Sequence, residues 1–243
     1  MNHRTNQPPG VPCYWMMAVL TCLFAGCAGV PESAAPQPSP SAAIAPAESP
    51  VVLPSEGDTS ASVPDALAPI PLPQSEADLW RLLQQADRGY VVLMRHALAP
   101  GTGDPSNFQL QDCSTQRNLS SEGQAQARET GNAFRQRQIP VVKVLSSQWC
   151  RCLETAELMQ LGAVEPFAPL NSFFRDPTTE AEQTAQVRQA IIENRLSPGV
   201  TIMVTHQVNV TAISDIFPQS GEMIVLHASD PDQVEVIGRL PAI

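Results

Sequence analysis

Lysine is nearly missing from this 243-residue chain: of its 14 basic residues, Lys143 alone is lysine and the others are arginine. Between residues 28 and 75 there is no basic residue at all, while five acids (Glu32, Glu48, Glu56, Asp58 and Asp65) lie there. With a formal charge of −10 the chain lacks the basic face that releases counterions from nucleic acid, which excludes that class of partner. Long apolar runs are also lacking. Tyr14 to Gly26 is an apolar stretch of thirteen residues, too short to cross a hydrocarbon core of about 30 Å as a helix. No internal repeat is visible. What is abundant is proline: eleven of the 24 fall between residues 28 and 75, so that stretch has little to bury and is excluded from a packed core. The folded part is then about 168 residues, a length that suits one domain.

The apolar stretch has the length of the central region of a signal peptide, and small residues follow it. Its end, Phe24-Ala25-Gly26-Cys27, resembles the bacterial lipoprotein signal, with phenylalanine where leucine is usual. That resemblance implies cleavage before Cys27, lipidation of its thiol, and a mature protein anchored to a membrane and facing the periplasm or the cell exterior. Residues 1–27 are accordingly expected to be signal, and residues 28–74 a Pro/Ala/Ser-rich acidic spacer with extended, polyproline-like character.

From residue 75 the pattern changes. Ser75 is placed to cap a helix whose apolar face is Leu79, Leu82, Leu83 and Ala86, with Gly89 to end it. Apolar runs at Tyr90–Met94, Val141–Leu145 and Val200–Val204 predict buried strands, and Glu222–His227 and Gln233–Ile237 two closing ones. Helices are expected over Ser120–Gln138, Gln148–Gln160, Thr179–Arg195 and Val208–Ile216. The alternation predicts an α/β domain over residues 75–243, a three-layer sandwich around a mainly parallel sheet. Its ligand belongs beyond the carboxyl ends of the strands.

The reactive residues stand at those ends. The first strand runs into Arg95-His96, the second into Ser146-Ser147 with Arg151 one helical turn on, and the third into Thr205-His206. Two imidazoles and two guanidiniums converging on one edge suit a tetrahedral phosphate dianion. Arg95-His96, then Ser146-Ser147-Gln148-Trp149-Cys150-Arg151-Cys152-Leu153-Glu154-Thr155-Ala156, then Thr205-His206 together resemble the histidine phosphatase (phosphoglycerate-mutase-like) superfamily. Arg117-Asn118-Leu119-Ser120 with Gly123 resembles a segment of its small-phosphatase branch. Ala97 stands where the family usually has glycine.

The resemblance implies that His96 attacks phosphorus to give a phosphohistidine that water hydrolyses, that Arg95 and Arg151 clamp the phosphoryl oxygens, and that His206 is the second imidazole of the site. Arg117 either lines the site or pins the long loop after His96. The proton donor to the leaving oxygen is not given by the motifs, because Gln207 follows the second histidine and Leu170–Asp176 lacks glutamate. Asp176 is the first candidate, then Asp104, with Asp112 behind them. Among the cysteines beyond the signal, Cys113 is expected to bridge Cys150 or Cys152 and so tie the loop to the helix carrying Arg151. Cys150-x-Cys152 has the wrong spacing for a zinc site, and no metal or cofactor is expected.

The expectation is therefore an exported phosphomonoesterase acting on a small phosphorylated substrate, with an envelope sugar phosphate as one such class. Its alternatives are a phosphohistidine or phosphoprotein phosphatase and a catalytically inactive phosphate-binding module at the cell envelope.

Overall fold

Three strands that are far apart in the sequence lie side by side in register. Strand β1 (Gly89–Arg95) and strand β4 (Gly199–Thr205) pair in parallel from Gly89 opposite Gly199 to Arg95 opposite Thr205. Strand β2 (Val141–Ser146) lies parallel on the other side of β4, with Ser146 opposite Val204. The computed structural model that shows this describes residues 73–243; the signal, Cys27 and nearly all of the acidic spacer lie outside the described residues.

Six strands form one sheet in the order β3-β2-β4-β1-β5-β6. Strand β3 (Val164–Pro166) extends the parallel half, whereas β5 (Met223–Ala228) and β6 (Val234–Leu240) close the other edge antiparallel. Helices α1 (Glu76–Gln85), α2 (Ser121–Gln136) and α3 (Cys150–Met159) pack on one face through Leu79, Leu83, Phe134, Ala156 and Met159. Helices α4 (Glu180–Asn194) and α5 (Gln207–Ser214) cover the other through Val187, Ile191, Val210 and Ile213. The period-two alternation of β1 divides it between the two cores: Val92 and Met94 face the first, Val91 and Leu93 the second. The mainly parallel α/β sandwich is the fold expected from the sequence.

The first helix ends differently. Ser75 caps it, its Oγ accepting the Asp78 N–H at 3.2 Å, but the left-handed residue at its end is Ala86. Gly89 instead opens β1, where a Cβ would stand 1.8 Å from the Asn194 carbonyl oxygen. Glycine is there for a close approach rather than a helix stop.

Candidate active site

Register carries the reactive residues to one edge of the sheet. His96, Ser147 and His206 each follow the last residue of a parallel strand, and short bonds hold these turns together. The His96 N–H donates to the Thr205 carbonyl at 2.8 Å, and the Ser147 N–H to that of Val204 at 2.9 Å. Around them is a cavity of about 200 Å³ lined by Arg95, His96, Asp104, Arg117, Arg151 and His206, with Phe174 and Phe217 exposed at its mouth.

His96 is buried, and its hydrogen bonds decide its tautomer. Nδ1 lies 2.7 Å from the Ala97 carbonyl oxygen, which only accepts, so Nδ1 carries the proton. Nε2 therefore keeps its lone pair, and Arg151 Nε donates to it at 3.2 Å. Burial, with the neighbouring Arg151 charge adding to it, pushes the imidazole from 6.5 down to about 3. It stays neutral and nucleophilic at any ordinary pH.

His206 has the opposite tautomer. Arg151 Nη2 approaches its Nδ1 at 3.2 Å, so Nδ1 accepts and Nε2 donates to Ser147 Oγ at 2.8 Å. Its pKa is also held well below the ordinary value, by burial first and then by Arg151. The two imidazoles meet edge to face, with ring centres 5.5 Å apart.

Arg151 joins these parts. Thr155, one turn on, donates to the Arg151 carbonyl at 2.7 Å and accepts the Ala97 N–H at 3.1 Å, fixing helix α3 to the residue after His96. The Arg151 guanidinium forms a two-pronged ion pair with Asp104, Nη1 to Oδ1 at 2.6 Å and Nη2 to Oδ2 at 3.2 Å. Burial alone would raise the Asp104 carboxyl, but the hydrogen bonds and charge of Arg151 outweigh it and hold the group below the usual range.

Arg95 donates through Nη1 to the Pro218 carbonyl at 2.9 Å, while its buried Nε has no partner among the described residues. Arg117 does both things proposed for it. It lines the cavity, and it pins the loop by donating to the carbonyls of Gly103 and Ala99. Gly123 has a steric role, since a Cβ there would lie 2.0 Å from the Leu98 carbonyl oxygen. Ala97 adopts no positive φ; among the described residues only Ala86, Gln138, Gln160 and Asp215 do so outside glycine. A methyl group is therefore harmless at Ala97.

Residues 91–171 match the histidine phosphatase superfamily, branch 1. That segment contains Arg95, His96, Asp104, Arg117 and Arg151, while His206 comes from beyond it. No curated protein matches the chain. Among solved structures, the chain is similar to the protein histidine phosphatase SixA complexed with tungstate (15% identity, 63% of this chain and 97% of that one, TM-score 0.45). A phosphoserine phosphatase from Entamoeba histolytica shows 11% identity over 62% and 96% of the two chains, with a TM-score of 0.47. A mycobacterial glucosyl-3-phosphoglycerate phosphatase shows 14% over 63% and 99%, also with 0.47.

Within the matched segment and the residues that follow it, the aspartates expected as proton donors are not all at the cavity. Asp176 is exposed and caps the turn before α4, accepting from the Thr178 N–H at 3.2 Å and its Oγ1 at 2.5 Å. Asp112 does the same for Ser114, at 2.9 and 2.7 Å. Neither lines the cavity, and Asp104 is the aspartate that does. Cys113 is bonded to Cys150, and Cys152 is a free buried thiol whose pKa burial pushes up to about 12. Such a thiol is not a nucleophile at neutral pH. Ser147, which orients His206, was named in sequence only as a strand-end residue and given no role of its own.

Proposed function

We propose that this chain is a phosphomonoesterase working through a phosphohistidine on His96. The observation that carries this reading is the His96 tautomer: a buried, neutral imidazole with its Nε2 lone pair in a cavity walled by three arginines. The unpaired Nε–H of Arg95 is a donor awaiting an anion. In the first step Nε2 attacks phosphorus in line, the ester P–O bond breaks, and Arg95 and Arg151 meet the charge on the phosphoryl oxygens. In the second, water attacks phosphorus, the N–P bond breaks and the lone pair returns to Nε2.

On the alcohol side, Thr102, Ser172 and Gln207 stand with Phe174 and Phe217. This mixed wall suits a sugar ring, which has hydroxyl edges and an apolar C–H face, and an envelope sugar phosphate is the class we propose. The Cys113–Cys150 bond supports an oxidising compartment and so an exported protein, and the lipoprotein-like stretch ending at Cys27 supports a lipid anchor there. The test is turnover of p-nitrophenyl phosphate and a panel of sugar phosphates by the wild type and by His96→Ala. The reading expects turnover that the substitution abolishes; phosphate binding with no turnover of any ester would make the chain a binding module.

A further inference from the structure

Asp104 occupies the place that an anionic substrate needs. Its two oxygens face Arg151 in the same two-pronged geometry by which a guanidinium holds two phosphoryl oxygens, and Trp149 Nε1 adds a third bond to Oδ2 at 3.2 Å. The side chains of Arg151 and Asp104 are 3% and 6% exposed, so the pair is sheltered from water. Every nitrogen of Arg151 is engaged: Nε with His96, Nη1 with Asp104, and Nη2 with both Asp104 and His206. A phosphate dianion cannot take Arg151 while a carboxylate keeps it, because two anions in one low-dielectric site repel each other. The loop before Asp104 is held, since Arg117 grips the carbonyls of Ala99 and Gly103, so exchange requires only that the Asp104 side chain rotate.

We infer that Asp104 is an internal ligand of Arg151, displaced by the incoming phosphoryl group, and that once displaced it gives the proton to the leaving oxygen. The inference rests on the phosphohistidine reading above. Beside Arg151 the carboxylate is stabilised as the anion; beside a phosphoryl group, with the guanidinium taken, it binds a proton, delivered by the monoanionic ester. As His96 Nε2 forms its bond to phosphorus and the P–O bond breaks, that proton passes to the departing oxygen and the alcohol leaves neutral. The Asp104 carboxylate then takes a proton from the water that cleaves the N–P bond, passes it to the departing phosphate, and returns to Arg151 as the anion.

The test uses the full-length chain and its Asp104→Asn and Asp104→Glu variants. Calorimetric titration with inorganic phosphate should show Asp104→Asn binding about tenfold more tightly than wild type, because no carboxylate has to be displaced. The same variant should lose about 10²–10⁴ in kcat/KM on glucose 6-phosphate but less than about tenfold on p-nitrophenyl phosphate, whose leaving oxygen needs no proton. Asp104→Glu, which keeps the carboxyl, should recover part of the glucose 6-phosphate activity. Weaker phosphate binding by Asp104→Asn, or equal losses on both esters, is what a merely bracing residue produces and overturns the inference. If the wild type turns over neither ester, the phosphatase reading and the proton transfer fall together. The titration then still decides the displacement: tighter binding supports it and weaker binding overturns it.

Discussion

Arg151 Nε donates to His96 Nε2 at 3.2 Å, so the imidazole proposed to attack phosphorus is held by the guanidinium proposed to clamp the phosphoryl oxygens. The two residues are 55 positions apart and meet because β1 and β2 flank β4 in parallel. Lysine at 151 would keep the charge but lose the planar fork. Arg151→Lys is expected to lower kcat/KM by about 10²-fold or more, as the loss of a transition-state donor does. Its far-ultraviolet circular dichroism should stay native. Activity within a fewfold of wild type would remove Arg151 from the clamp.

The buried histidines give stability a defined pH dependence. His96 is lowered from 6.5 to about 3, and His206 is lowered too, so below pH 6.5 the unfolded chain binds protons that the native one does not. Stability is therefore full above 6.5 and falls as pH drops. Urea unfolding at pH 6.5 and 5 should differ by about 1.7 kcal/mol for His96, at 1.36 kcal/mol per pH unit once the unfolded imidazole is fully protonated, and His206 should add in the same direction. An unchanged midpoint would mean that these imidazoles titrate normally in the fold.

The Cys113–Cys150 bond closes a separation of 37 residues that includes Arg117 and the start of α2. By loop-closure entropy, its loss costs about 2–4 kcal/mol. Cys113→Ser should lower the unfolding free energy by that amount in urea titration. It should also reduce turnover, because the loop carrying Asp104 is no longer tied to the helix carrying Arg151.

Gly123 makes a steric prediction. Alanine there would drive its methyl group into the Leu98 carbonyl, 2.0 Å away, two residues beyond His96. Gly123→Ala should destabilise the domain by about 1–3 kcal/mol and lower kcat, while alanine at its exposed neighbour Glu122 should do neither. A thermal melt and a rate measurement on both variants check it.

Membrane attachment is tested at Cys27. Labelled palmitate should enter the chain expressed in a bacterial host, and Cys27→Ser should abolish both the label and recovery in the membrane fraction. Label in the variant would place the acyl group elsewhere.

Much of this site was legible because its residues follow strands directly. Once β1, β2 and β4 are parallel, Arg95, His96, Ser147 and His206 have to share an edge. The strand order was not legible, since no local pattern tells β2 to neighbour β4 rather than β1. Strand β3 escaped because three residues, Val164–Pro166, the last two exposed, leave almost no periodicity. Asp104 and Asp176 each lie next to a proline in a loop and look alike in sequence. Only packing separates them, placing Asp104 on Arg151 and leaving Asp176 on a turn. The disulfide partner was ambiguous for a similar reason: Cys150 and Cys152 are two residues apart, and helical geometry sends one to Cys113 and the other into the core beside His206, 3.5 Å from its Nε2.

A covalent phosphoryl group on His96 can be trapped directly. Wild-type protein mixed with a ³²P-labelled ester and quenched in alkali within milliseconds should carry label that survives base and is lost in acid. Mass spectrometry should place that label on the peptide containing His96, and His96→Ala should carry none. Turnover without a labelled histidine, or undiminished activity in His96→Ala, would contradict the account.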